Sequence, residues 1–320
     1  MRRALYCLMP VVVSMFALST SHAQTYPAKP IHLVVPLAPG GGSDLLARYI
    51  GKHLAETLGQ PVIIENRAGG GGLIGGDFVM RSAPDGYTLL MGGSGQIAVG
   101  LSYGKQDSLK DFTPITIIGD YPSLLVAHPS LPVKTVRDVI AFAKARPGQL
   151  NYGSAGNGSA GHLTMEMFRS MAGIDMVHVP YKGAAPAQTE TMAGQVSLLF
   201  NNPLGALPYV RAGRLRAIGG SGTKRMSSAP DIPTIAESGL PGFDATLFLG
   251  IVAPAATPRE IVTRIAGDVI RITQRREVQE WLSRQGMEAV GSTPEEYVAR
   301  TKVDVEKLAR VIRNTSPPRE

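Results

Sequence analysis

The amino-acid sequence predicts an α/β protein of two lobes, each a mainly parallel sheet flanked by helices. Three observations predict it. Short apolar runs alternate with amphipathic stretches, the pattern of strands that cross over through helices into a parallel sheet. Two glycine-rich corners of one design, residues 34–48 (VVPLAPGGGSDLLAR) and 149–163 (QLNYGSAGNGSAGHL), stand about one lobe apart. Apolar runs within 112–128 and at 247–252 read as segments that leave the first lobe and return to it. With 320 residues, 44% of them apolar, the chain can bury one large core or two smaller ones.

The first strand spans 31–35 and runs into Gly40, Gly41 and Gly42. Ser43 is then a good N-cap, and Asp44 suits a first helical turn. Leu46, Ile50, Leu54 and Leu58 recur every fourth residue until Gly59 can close the helix, with Pro61 beyond. A strand that ends in glycines and re-enters as a helix leaves backbone N–H groups in one concavity, with the positive end of the helix dipole behind them. That is an anion site in the making. An ordinary strand-turn-helix corner fits this stretch alone equally well. The second corner tilts the reading, because Ser154 ends an extended run and Ser159 can cap a helix carrying Leu163, Met167 and Met171. Two such corners suggest half-sites facing each other across a cleft.

Between the corners, a strand at 61–65 leads to the cluster Gly69 to Gly72, a small-residue helix at 74–82, a Pro84-Asp85-Gly86 turn and a strand at 87–91. Ligands of such sheets sit beyond the carboxyl ends of the strands, which places the loop at 92–96, with Ser94 and Gln96, on the cleft wall. Thr135 caps a helix whose Val136, Val139, Ile140 and Ala143 share a face, ended by Pro147-Gly148. After the second corner come a strand at 176–179, a helix at 184–193, a strand at 195–200 that stops at Asn201, and a strand at 215–218. Lys182 reads as a solvated rim residue. Three helices close the chain, with caps at Thr257-Pro258, Gly286 and Thr293-Pro294. The expected lobes are 24–122 with 246–320, and 123–245.

Residues 1–23 differ from the rest. Arg2 and Arg3 precede an apolar stretch at 11–18, and Ser21-His22-Ala23 presents small residues where a signal peptidase reads, so cleavage is expected after Ala23. The apolar part is shorter than the roughly 20 residues that span a bilayer. The sole cysteine, Cys7, lies inside this leader. The mature chain therefore folds without disulfides and offers no thiolate nucleophile or Cys-ligated metal. Of the formal charge of +7, Arg2 and Arg3 carry two, and the remaining +5 is scattered rather than interleaved with aromatics. That excludes a nucleic-acid groove while favouring collection of a small anion.

Gly70 to Gly75 fits G-x-G-x-x-G, but the strand that should end in a ribose-binding acid ends Met91-Gly92-Gly93, so no dinucleotide is expected. No serine sits in a G-x-S-x-G elbow. His162 and His178 read as packed, hydrogen-bonded residues rather than catalysts or zinc ligands. The residues require no cofactor and no metal.

Seven motifs then occur in order: YPAKPIHLVVPLAPGGGSD, GQPVIIENRAGGGGLIGG, APDGYTLLMG, YGSAGNGSAGHL, HVPYKGAAPAQTETMAGQV, PDIPTIAESGLPGF and APAATP. From Tyr26 to about Ile312 the chain resembles the periplasmic substrate-binding proteins of tripartite tricarboxylate transporters, the Bug receptors. The resemblance implies the type II periplasmic-binding fold, with two lobes closing over a small carboxylate. It implies contacts from Ala38, Gly40, Gly41 and Ser43 on one side and Ser154, Gly156 and Ser159 on the other, with Ser154 donating its hydroxyl to a carboxylate oxygen. Membrane transporter subunits would be the partners, and the receptor would be a periplasmic monomer that binds no nucleic acid and inserts in no membrane. The chain departs from the family pattern at Leu37, usually Phe; at 96–101, which lack the usual Asn-Pro; at Asn201, often an acid; and at Phe248, commonly Trp. The rival expectations are a sensor presenting its closed form to a membrane signalling partner and, more remote, an enzyme on the same fold.

Overall fold

The computed structural model describes residues 26–314. The leader expected at 1–23 lies outside the described residues. The chain first lays down β1 (Ile31–Val35), α1 (Gly42–Leu58), β2 (Val62–Asn66), α2 (Leu73–Met80), β3 (Thr88–Gly93), α3 (Ser94–Tyr103) and β4 (Phe112–Pro122). It then builds β5 (Leu124–Ala127), α4 (Val136–Ala145), β6 (Asn151–Ser154), α5 (Ala160–Ala172), β7 (Val177–Pro180), α6 (Ala184–Met192), β8 (Leu198–Asn201), α7 (Pro203–Arg211) and β9 (Arg216–Gly220). It returns through β10 (Thr246–Pro254) and ends with α8 (Arg259–Thr273), α9 (Arg276–Arg284), β11 (Glu288–Ala289) and α10 (Pro294–Asn314).

Two sheets result, ordered β11-β4-β10-β3-β1-β2 and β7-β6-β8-β5-β9. Their halves next to the glycine corners are parallel, β2-β1-β3 in one and β7-β6-β8 in the other. The other halves are antiparallel, because β10 enters its sheet against β3 and β4, and β5 enters against β8 and β9. The sheets are therefore mixed, and the reversal belongs to the strands that carry the chain between lobes.

Period-two alternation sends neighbouring residues to opposite faces. Leu33, Val35, Leu89 and Met91 join Leu46, Ile50 and Leu54 of α1 and Ile265 of α8 on one face. Val34, Leu90 and Phe248 join Ile97, Phe112 and Tyr297 on the other. In the second lobe Leu125, Leu198 and Phe200 face the core of α4 and α5, while Leu124, Val126 and Leu199 face α6 and α7. Each of these fully buried aliphatic side chains contributes about 1.5–3 kcal/mol.

One helix occupies a stretch that the sequence reads as a loop, and another a stretch to which it assigns no element. α3 follows β3 without a linker, through Gly93 at φ +123°. Its glycines look like loop residues but permit close packing: a Cβ on Gly100 would meet the Gln106 carbonyl at 2.6 Å. α7 starts at Asn202, whose side chain accepts the Leu204 N–H, with Pro203 at the first helical position.

The crossings meet at one point. Ser123, between β4 and β5, donates its N–H to Ser221 Oγ at 2.7 Å, and Ser221 N–H donates to the Ser123 carbonyl at 2.8 Å. Ser221 Oγ also donates to the Ala245 carbonyl, just before β10. α10 then lies on α3 and reaches α5, with Tyr297 edge-on to Phe248 at 5.3 Å and Lys307 paired with Asp244 at 2.9 Å.

Candidate functional site

At the first corner the chain leaves β1 at Val35, turns through Gly40 at φ +83° and enters α1 at Gly42. Gly41, not Ser43, is the N-cap, and no side chain caps the helix. The reason is Asp44, whose Oδ2 accepts the Gly40 N–H at 3.0 Å and so starts the helix two residues earlier than a Ser43 cap would. Arg48 grips both oxygens of Asp44 at 3.0 Å, and Asn66 donates to Oδ1 at 3.0 Å. Burial alone would raise the Asp44 pKa, but the bonds from Arg48, Gly40 and Asn66 outweigh it and hold the carboxyl below its usual range. The first intrahelical bond runs from Leu45 N–H to the Gly41 carbonyl. The N–H groups of Gly42 and Ser43 precede it and have no partner within the helix.

The second corner is built differently. Ser159 caps α5, its hydroxyl accepting the His162 N–H at 3.4 Å, as the sequence implies. Ser154, by contrast, turns away from the cavity. Its Oγ lies 2.6 Å from His178 Nε2 and accepts the Gly156 N–H at 3.1 Å. Behind it the rings of Tyr152, His178 and His162 stack, with centroids 4.8 and 4.2 Å apart. His162 Nδ1 accepts the Gly158 N–H, so that ring is neutral in the folded corner. Tyr152 donates to Glu166, which also pairs with Arg169. Burial, reinforced by the neighbouring His162 and Arg169, pushes His178 down to about 3, and burial also lowers His162.

Between the lobes lies a cavity lined by both corners, including Ala38, Gly41, Ser43 and Ser159. It encloses about 90 Å³, well above what a single buried water needs. Its lining includes no Lys, Arg or His, and its one charged residue is the fully engaged Asp44. Met91, Leu247, Leu249 and Phe200 give it apolar walls. Helix N-termini supply the positive potential: the first turns of α1, α3 and α5 all face it, represented by Gly42 and Ser43, Gly95 and Gln96, and Ala160 and Gly161.

The rim is closed backbone to backbone. The Ala38 N–H donates to the Lys182 carbonyl at 3.3 Å, and a Cβ on Gly71 would meet the Asn157 carbonyl oxygen at 2.4 Å. Lys182 itself is exposed, at the rim where the sequence puts it.

Five of the expected contacts do not reach the cavity as free groups. Gly40 is exposed and its N–H is held by Asp44. Ser154 and Gly156 bond to each other, and Ser154 to His178. Ser94 donates to Asp304 at 3.0 Å and accepts the Phe248 N–H, pinning α3 to α10 and β10. Asn201 lines the wall, but its amide is satisfied by Gln188 Oε1 at 2.6 Å and by the Asn202 N–H at 2.8 Å. Gln96 does line the cavity, with its Nε2 buried and without a partner. Sequence reasoning missed Asn202, next to Asn201 in the lining, whose Nδ2 is likewise buried and unpartnered, although the Asn-Pro pair that starts α7 was the signal. It also missed Tyr121, whose pKa burial pushes up to about 12 while the neighbouring Asn202 side chain tempers the rise. Among the described residues no group of three His, Cys, Asp or Glu could hold a metal ion.

Comparison with known proteins agrees with this geometry. The sequence pattern described as the tripartite tricarboxylate transporter family receptor matches residues 46–316. Protein BugT of Bordetella pertussis is 37% identical over 297 residues, covering 92% of this chain and 91% of BugT. The solved structure of R. palustris Rpa4515 with adipate is 34% identical, with a TM-score of 0.86 over 90% of this chain and 98% of that one. MatC from Rhodopseudomonas palustris with bound malate is 30% identical, with a TM-score of 0.86 over 89% and 99%.

Proposed function

Since this chain belongs to the tripartite tricarboxylate transporter receptor family, we propose that it is a periplasmic receptor that captures a small carboxylate between its lobes and delivers it to membrane transporter subunits. Its leader directs export and is removed after Ala23, and the receptor works as a monomer. The observation that carries the reading is a cation-free cavity faced by the N-termini of α1, α3 and α5. Such a cavity holds an anion by backbone N–H groups and helix dipoles, with no fixed counter-charge to displace. Two structural relatives are known with adipate and with malate bound.

Lobe closure and binding are then linked, because donors from both lobes meet the ligand only when the rim is shut. Thermal unfolding of the mature chain against mono-, di- and tricarboxylates, with amides of the same shape as controls, tests the reading. A ligand at 100 times its Kd adds about 2.7 kcal/mol of stability. Stabilisation by carboxylates but not by amides is expected; no response to any carboxylate, from protein stripped of bound ligand by unfolding and refolding, overturns it.

A further inference from the structure

The cavity's donors are not spread evenly. α1 and α3 follow β1 and β3, which are adjacent strands, and α5 and α7 follow β6 and β8, which are adjacent in the other sheet. Across the cleft these starts pair off. A Cβ on Gly42, in the first turn of α1, would fall 2.5 Å from Asn202 Cγ, at the start of α7. A Cβ on Gly95, in the first turn of α3, would stand 4.0 Å from Ala160 Cβ, at the start of α5. Each pairing joins helix N-termini from both lobes. Each also carries one buried amide donor without a partner, Asn202 Nδ2 at the first and Gln96 Nε2 at the second. Gln96 is 7% exposed.

We infer that the cavity has two poles and that Asn202 and Gln96 are the specificity-determining residues of opposite ends of the ligand. This rests on the carboxylate reading and deepens it. A buried NH2 group with no partner awaits an acceptor, and each of these sits beside helix N-termini that favour negative charge. Adjacent strands set the starts of α1 and α3 at least roughly 5 Å apart, a span that a short carbon chain bridges. The ligand is therefore a linear carboxylate with a second hydrogen-bond acceptor at its far end and an apolar middle against Met91, Leu247 and Leu249. Because the reader at each pole is a neutral amide and not a cation, the far end can be a second carboxylate or an uncharged carbonyl. An ammonium there is rejected, since it brings donors to a donor.

The test uses three probes of one length, adipate, its half-amide and hexanoate, and a second set, succinate, its half-amide and butyrate, titrated calorimetrically into the ligand-free mature protein. In the better-binding set the diacid and the half-amide are expected to bind at least about thirtyfold tighter than the monoacid, whose methyl end leaves one amide unpaired. Gln96→Leu should weaken the diacid about tenfold or more and narrow its advantage over the monoacid. Asn202→Asp keeps the α7 cap but replaces the donor with an oxygen, and it should weaken every probe that occupies its pole. Equal affinities for diacid and monoacid in the unmodified protein would overturn the inference while leaving the carboxylate reading intact. So would equal losses for all probes in Gln96→Leu with an unchanged melting temperature. Failure of every probe in both sets would overturn the carboxylate reading itself.

Discussion

The two glycine corners look alike in sequence and are built on opposite plans. The first is shaped by a charge: Asp44 reaches back to the Gly40 N–H, Arg48 and Asn66 hold Asp44, and Ser43 is left uncapping on the cavity wall. The second is shaped by neutral groups: Ser159 caps α5, and Ser154 is drawn inward onto a stack of two histidines and a tyrosine. Glycine and serine in a corner therefore specify that backbone N–H groups will be presented, but not which hydroxyl will reach the ligand. That is decided by what stands behind the turn.

Each corner is met by a glycine from the other lobe, and the largest effects come from breaking that approach. A Cβ at Gly71 would fall 2.4 Å from the Asn157 carbonyl oxygen of the second corner; one at Gly183 would fall 2.8 Å from the Ala38 nitrogen of the first. These neighbours are backbone atoms, so only parting of the lobes relieves the clash. Gly71→Ala and Gly183→Ala are each expected to weaken binding at least about tenfold, about 1.4 kcal/mol, with Gly71→Ala the more severe because its φ of +66° also disfavours a side chain. Titration with the best carboxylate of the panel checks this, and small-angle scattering should find that ligand no longer compacts the variants. Undiminished affinity in both would mean that binding does not need the closed rim.

The serines separate the corners at the next level. Ser159→Ala removes the cap of α5 and should lower stability by about 1 kcal/mol, and with it the affinity. Ser43→Ala should leave the melting temperature unchanged, because Ser43 caps nothing, yet weaken binding by about 1 kcal/mol if its hydroxyl meets the ligand. Parallel melts and titrations of the two variants decide it; a drop in melting temperature for Ser43→Ala would contradict the uncapped start of α1.

What was legible follows the same line. Apart from α3 and α7, most of the strand and helix order and the Thr135, Ser159 and Thr293 caps are local patterns, and the chain spells them out. α3 was not legible because Gly93, Ser94 and Gly95 read as turn residues; the helix forms there because Ser94 is anchored by Asp304 and Phe248, more than 150 positions away. The direction of Ser154 was hidden for the same reason, since His178 lies one strand over, on β7. Gln96 and Asn202 stand out only once the cavity exists, because an unpartnered amide is a property of its surroundings and not of its neighbours in sequence. The loops chosen by pattern border the cavity, while the orientation of the individual donors within them is set by long-range contacts.

The smallest expected effect is the most diagnostic of the difference between the corners, because each plan titrates in its own window. His178, pushed down to about 3 by burial, and His162, also lowered by burial, are neutral in the folded second corner. In the unfolded chain both take up protons below about 6.5. The unfolded state then binds more protons than the folded one, so stability falls as pH drops from about 6.5 toward 3. Asp44 has a folded pKa below its unfolded value, so its contribution is present above about 3.9 and is lost only at more acid pH. At pH 5 the first corner is intact while the second is already under strain from protons. The stack is partly open to solvent, and Glu166, which faces His162, opposes its downward shift, so the loss is modest. Thermal unfolding at pH 7 and pH 5 should show a drop for the unmodified chain and a smaller drop for His178→Gln, which keeps a polar group near Ser154 but does not titrate. Equal drops would move the acid sensitivity away from the stack, and a smaller drop in Asp44→Asn instead would move it to the first corner.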